Sequence, residues 1–201
     1  QKALDTTANK SPILMALAEI SLSQKQHETT YSQCQQAITL STKPKVDWYL
    51  TRARAQLHLN DLKARANMLK SACRQNSSIV LKHAWIDAEI DAKQPKSVAG
   101  LVDRELKSSR FISAWLIRSA RIHKLQGLPY KQKLEQAIKE INQRLHPKRP
   151  DLSILAERCH ARFLLDLKKD ALKDLQQLKK YPSCAADVDY LQHIFLKGSS
   201  K

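Results

Sequence analysis

The chain has 201 residues, 42% hydrophobic and 27% charged, enough for one medium domain or a short repeat array. With only 3 Gly and 7 Pro it lacks the turn residues of an all-β sandwich and the glycine-rich βα turns of a doubly wound sheet. No apolar run approaches the roughly 18 residues that span a bilayer, and a net charge of +16 attracts anionic partners.

Taken in chain order, the apolar residues recur at three- and four-residue steps, the signature of amphipathic helices. Ile13, Leu14, Leu17, Ile20 and Leu22 mark the first. Leu50, Ala53 and Leu57 mark the third, and Leu62, Ala66 and Leu69 the fourth. Trp85, Ala88 and Ile90 follow, then Ile112, Trp115, Leu116 and Ala120, then Ile154, Leu155, Phe163 and Leu164. Ser11-Pro12 reads as a helix start, a capping hydroxyl before a proline at the first helical position. Pro44, Pro95, Pro129, Pro150 and Pro182 mark further boundaries. Asn60 and Gly127 fall where helices end, and both residues tolerate positive φ. The reading gives eleven helices, over 12–25, 28–41, 45–59, 61–74, 79–92, 95–107, 111–125, 129–145, 151–166, 168–180 and 183–196. The connections are short, so consecutive helices are expected to be antiparallel neighbours.

The charge is spread out. Residues 1–100 carry 14 basic and 8 acidic side chains, and residues 101–201 carry 21 and 11. Two readings follow: polar helix faces that confer solubility, or a field for nucleic acid, anionic lipid or acidic peptide. Four cysteines, at 34, 73, 159 and 184, form no Cys-x-x-Cys pair and are too sparse for a disulfide scaffold. Cys159 and Cys184 are a candidate bridge, against four free and largely buried thiols. The chain opens on Gln1, which inclines the reading to a processed exported or envelope protein, with an excised cytoplasmic domain as the alternative.

Small residues recur at Ala18, Ala53, Ala88, Ala120 and Ala156, at steps of 32 to 36 residues, and Ala37 and Ala72 lie 35 apart. Trp48 and Trp115 each precede their alanine by five residues, and Pro147 and Pro182 are again 35 apart. A small residue lets two helix backbones approach, so its recurrence marks a recurrent helix contact. On these residues the chain resembles the tetratricopeptide repeat family. Leu14, Leu17-Ala18 and Ala37 fit the first unit. Tyr49, Ala53, Leu69 and Ala72 fit the second, and Leu155-Ala156 and Pro182 the fifth. The usual glycine is alanine throughout, and the third unit is short. A pentatricopeptide array, which binds RNA, has the same period but carries Gly and Pro at its loops. A non-repeat helical bundle is the other alternative.

The resemblance implies an all-α right-handed solenoid of antiparallel helix pairs, about five of them. The domain would run over residues 12–182, after an N-terminal extension at 1–11 and before a capping helix and tail at 183–201. It also implies a concave groove lined by first helices, with the residue after each small position pointing inward. Those residues are Glu19, Arg54, Glu89, Arg121 and Glu157, and His58, Lys124 and Arg162 share the face. Arg54, His58, Arg121, Lys124 and Arg162 are therefore the expected peptide-binding set, since guanidinium groups recognise carboxylates by paired donors. The partner implied is a protein or peptide with acidic or C-terminal carboxylate groups. Nucleic acid bound through the basic surface is the alternative.

Catalytic signatures are weak. There is no glycine-rich phosphate loop, no His-Glu-x-x-His and no Gly-x-Ser-x-Gly. Glu157 and His160 form a single Glu-x-x-His, where a di-iron bundle needs two. Cys159 and His160 point about 100° apart on a helix, so they do not form a nucleophile–base pair. Trp48, Tyr49, Trp85 and Trp115 sit at apolar positions and read as core rather than as base-stacking platforms. No enzyme activity, metal or cofactor is expected.

Overall fold

The computed structural model describes residues 2–146 and 149–198, with side chains described for 10–146 and 149–196; Pro147 lies outside them. Among the described residues there are eleven α-helices: α1 (Lys2–Ser23), α2 (His27–Leu40), α3 (Val46–His58), α4 (Leu62–Gln75), α5 (Ile79–Asp91), α6 (Ala99–Ser108), α7 (Ser113–Leu125), α8 (Lys131–Arg144), α9 (Leu152–Leu164), α10 (Lys168–Leu178) and α11 (Ala185–Gly198). There is no strand among the described residues. Single 3₁₀ turns at Pro95–Ser97 and Pro182–Cys184 lead into α6 and α11. The largest departure from the sequence reading is at the start. The helix extends back to Lys2, so Pro12 lies inside α1 and not at its first turn. One proline removes one N–H bond from a ladder of 22 residues, and the alanine-containing stretch before it favours helix.

The chain divides into two compact units, Gln1–Gln94 and Pro95–Lys201. In the first, each helix packs on the next from α1 to α5. Alternate helices also touch, α1 with α3 and α3 with α5. In the second unit α6 to α11 pack in the same sequential way, with α7 touching α9 and α9 touching α11. Each core cluster is local in sequence. One joins Met15 and Ala18 to Cys34, Ala37 and Trp48. The next joins Tyr49 and Ala53 to Ala66, Leu69, Ala72, Leu81 and Ala88. In the second unit Leu116 and Ala120 meet Leu134, Ala137, Ile141, Ile154 and Ala161. Leu155 and Cys159 then meet Ala171, Leu175, Leu178 and Leu191. Fully burying a leucine such as Leu81 or Leu134 contributes about 2 kcal/mol.

Five helix ends share one geometry. Lys25, Asn60, Lys93, Gly127 and Asp166 all have φ between 58° and 72°. At each, that residue's N–H donates to the carbonyl three back, and the following N–H reaches the carbonyl five back: Gln26 to Ser21, Asp61 to Gln56, Gln94 to Glu89, Leu128 to His123 and Leu167 to Arg162. This left-handed terminus satisfies the last carbonyls of α1, α3, α5, α7 and α9 and turns the chain into the next helix. Counting back seven residues from each turn reaches Ala18, Ala53, Ile86, Ala120 and Cys159, all buried. The turns lie 35, 33, 34 and 39 residues apart, and counted from them Ile86 takes the place of Ala88 and Cys159 that of Ala156.

All four cysteines are free. Cys34, Cys159 and Cys184 are buried and Cys73 is half-buried. Cys159 Sγ donates to the Ala171 carbonyl at 3.2 Å, not to Cys184. Burial pushes the Cys34 thiol up to about 11 and the Cys159 thiol up to about 12.

Two measurements check this description. Gly127 has φ +72°, and a Cβ there would meet nothing within 4 Å, so the cost of Gly127→Ala is purely conformational. It should destabilise by about 1 kcal/mol in urea unfolding. Gly100→Ala, in open space at ordinary φ inside α6, should stabilise by about 0.5–1 kcal/mol. Thiol titration of denatured, unreduced protein should find four groups. In native protein Cys73 should be the first to react with iodoacetamide, and slowly at pH 8, because the other three are buried and burial raises the Cys73 thiol as well.

Candidate functional site

The residues expected to line a groove fall in both units, and each unit is considered by itself. In the first, Arg54 lies half-buried on α3, between the buried Ala53 and Ala55. His58, in the last turn of α3, stacks on His27 at the start of α2, with ring centroids 4.2 Å apart and planes 8° off parallel. Arg54 and His58 are one turn apart on the same helix, so this pair is brought together by α3 alone.

In the second unit Arg121 is 8% exposed on α7, and its Nη2 donates to the Tyr190 hydroxyl of α11 at 3.1 Å. His160 of α9 meets the same Tyr190 ring edge-on, at 5.9 Å. Lys124 is exposed at the end of α7, with its Nζ 5.4 Å from the centre of the Tyr130 ring. Arg162 of α9 donates from Nη1 to Asp174 Oδ2 of α10 at 2.7 Å. Arg158, one turn earlier, donates to both oxygens of the same carboxylate, at 3.1 and 2.7 Å. Asp174 is 3% exposed, and a carboxylate so buried needs these charge-assisted bonds. Arg121 and Arg162 thus each hold a neighbouring helix, and Lys124 is the one side chain of the second-unit set that stands in solvent.

The register set by the left-handed turns revises which residues are equivalent. Six positions before each turn stand Glu19, Arg54, Asp87, Arg121 and His160. Glu89 and Glu157, expected at that level, are displaced by two and three residues. Both have structural partners. The Trp85 indole Nε1 donates to Glu89 Oε1 at 2.9 Å, and the Ser113 hydroxyl donates to Glu157 Oε2 at 2.9 Å. Glu140 of α8 accepts the Ile112 N–H at 3.1 Å before α7, and Arg144 pairs with Glu140 while lying 4.0 Å from the centre of the Phe111 ring. In the first unit Arg65 of α4 and Asp91 of α5 form an ion pair at 2.8 Å with little exposure.

Reading one residue type at a time missed a basic pocket of about 550 Å³ where α4 ends and α5 begins. Lys70, Arg74, Lys82, Cys73, Ser78 and Trp85 line it, with no acidic residue in its wall. The signal was present as three cations within thirteen residues around Asn76-Ser77-Ser78. A second cavity of about 540 Å³, in the other unit, is mainly apolar and lies along α8 against Leu165 and Leu167. Among the described residues no three of His, Cys, Asp and Glu are placed to hold a metal ion, and no helix is long and apolar enough to cross a membrane. No family model, curated protein or solved structure matches the chain.

Glu157 has a pH signature. Burial, partly offset by the Ser113 hydrogen bond and by Arg118 and Arg144, raises its carboxyl above the ordinary 4.5. The folded state then binds this proton more tightly than the unfolded state. Its contribution to stability is full below pH 4.5 and is lost as pH rises through the folded value. Glu157→Gln should remove that loss, since an amide oxygen still accepts from Ser113. Urea midpoints measured from pH 4 to pH 8 should show the variant gaining on the wild type as pH rises.

Proposed function

We propose that the chain is a non-catalytic scaffold of tetratricopeptide type, whose helix pairs stack antiparallel as a right-handed solenoid and hold a protein or peptide segment against the first helices. The contact of alternate helices supports this reading: α1, α3 and α5 touch in one unit, and α7, α9 and α11 in the other. Sequential packing alone occurs in any bundle, whereas contact between every second helix is what stacked pairs require. The shared left-handed turn, at steps of 33 to 39 residues, supports the same reading. Arg54 on α3 in the first unit, and Lys124 on α7 in the second, each carry a charge that suits a carboxylate. The opposing excess of basic over acidic residues favours an acidic segment.

A synthetic peptide array with free carboxyl termini tests the proposal. Acidic peptides should bind above neutral ones. Arg54→Ala should weaken the best of them at least about tenfold while changing stability by about 1 kcal/mol. Lys179→Ala with Lys180→Ala, at two exposed cations beyond α10, should leave both unchanged. If the lysine pair weakens binding as much as Arg54→Ala, the attraction is diffuse and nucleic acid becomes the better partner. If no peptide binds, the scaffold reading fails.

A further inference from the structure

Several inward-lying cations of this chain are matched by a carboxylate. Arg65 has Asp91, Arg144 has Glu140, and Arg158 and Arg162 share Asp174. The pocket of about 550 Å³ between the end of α4 and the start of α5 breaks that pattern. Lys70, Arg74 and Lys82 stand in its wall, and no Asp or Glu does. Among the described residues neither Lys70 nor Arg74 has an ion-pair partner. The surrounding sequence is equally one-sided. Residues 62–86 contain no Asp or Glu but carry Lys63, Arg65, Lys70, Arg74 and Lys82. Three like charges around one cavity repel one another, and a bound anion relieves that repulsion.

The cations are held on two packed helices. Lys70 and Arg74 are four residues apart on α4, and Lys82 and Trp85 three apart on α5, so each pair shares a helix face. The link between the helices is tied to both. Asn76 Nδ2 donates to the Ala72 carbonyl at 3.1 Å, and the Ser78 hydroxyl accepts the Leu81 N–H at 3.4 Å. Ser78 lines the pocket, so the positive end of α5 adds to the same field. Trp85 makes the cavity more than a hole for a bare anion. Trp48 and Trp115 are buried, but Trp85 is half-buried and stands in the pocket wall. Its indole Nε1 donates to Glu89 Oε1 at 2.9 Å, which fixes the ring on α5. An indole held in this way is a stacking surface for a planar ring. The volume falls within the range of about 300–1,000 Å³ that small-molecule sites occupy.

We propose that the α4–α5 pocket binds a small phosphate-bearing molecule of the nucleotide class, with its phosphates among Lys70, Arg74 and Lys82 and its ring against Trp85. A phosphate monoester carries about −1.5 to −2 charges at pH 7, so one or two phosphates balance the three cations. Arginine takes phosphate oxygens by paired donors, and lysine acts as a point charge beside it. Peptide binding at Arg54 and nucleotide binding at this pocket are separate properties, and either can be lost alone.

The probe is ADP, titrated into the whole chain and followed by tryptophan fluorescence and by calorimetry. Both should show saturable binding, with the fluorescence quench lost in Trp85→Phe. Lys70→Gln with Arg74→Gln should weaken binding at least about tenfold and leave the circular dichroism and thermal midpoint unchanged. Lys179→Gln with Lys180→Gln, at exposed positions beyond α10, removes the same charge and should bind ADP as the wild type does. Inorganic pyrophosphate, which has no ring for Trp85, should compete at least about tenfold less well than ADP. ADP should also slow alkylation of Cys73 by iodoacetamide, because Cys73 lines the same pocket and its thiol feels the charge of Lys82. Absence of saturable binding up to about 1 mM ADP overturns the inference. Equal loss in the Lys179/Lys180 variant does so too, because the attraction is then diffuse. Pyrophosphate competing as well as ADP removes the ring from the assignment and overturns the nucleotide class. A single-stranded oligonucleotide that binds more tightly than ADP, with the same dependence on Lys70 and Arg74, makes nucleic acid the ligand and overturns the small-molecule assignment.

Discussion

The fold depends on one backbone conformation, the left-handed residue that closes α1, α3, α5, α7 and α9. A helix that simply frayed would leave its last carbonyls without partners and its successor without a fixed direction. The turn solves both in two residues, and it does so with the same pair of hydrogen bonds at Lys25, Asn60, Lys93, Gly127 and Asp166. For a residue with a Cβ the conformation costs about 1–2 kcal/mol. Four of the five sites accept that cost, so the packing that follows each turn must outweigh it. Burial of Ala18, Ala53, Ile86, Ala120 and Cys159 seven residues earlier is part of that packing.

Buried charge supplies the second level of specification. Arg65–Asp91 ties α4 to α5, and Arg158 and Arg162 together grip Asp174 between α9 and α10. Glu157 and Ser113 link α9 to the start of α7. Removing Asp91 or Asp174 from its ion pair leaves a guanidinium without its carboxylate and typically costs about 3–5 kcal/mol, on the order of a large core truncation. Apolar side chains tolerate sliding along a helix, but these pairs do not. They select one register out of the several that similar small-residue stripes would permit.

Helix number and approximate spans were legible in the sequence because apolar spacing and proline report them directly. The repeat register was less so. Asn60 and Gly127 announce a left-handed turn by residue type, but Lys25, Lys93 and Asp166 do not. The third and fifth units were therefore aligned on Ala88 and Ala156, two and three residues away from Ile86 and Cys159, the positions equivalent to Ala18, Ala53 and Ala120. That offset carried Glu89 and Glu157 into the expected groove, when both are held by Trp85 and Ser113. The buried state of Arg121 was hidden for a different reason: its partner, Tyr190, lies far along the chain on α11. The inner face of α1 also inverted the simplest reading. Ser11, Met15, Ala18 and Ser21 are buried, while Ile13, Leu17 and Ile20 are exposed. Hydrophobicity alone ranks the second set higher, whereas close helix approach selects the smaller residues of the first.

The locality of the core clusters bears on how the chain acquires its structure. Each cluster draws on one stretch of sequence, as from Met15 to Trp48 or from Tyr49 to Ala88. Loop-closure entropy is small for such wiring, and low contact order goes with folding in microseconds to milliseconds. A ribosome adds about 5–20 residues each second, so a finished helix pair has time to consolidate before its successor emerges. Assembly can then proceed during synthesis from the amino end, each new helix finding the preceding one already formed as its template.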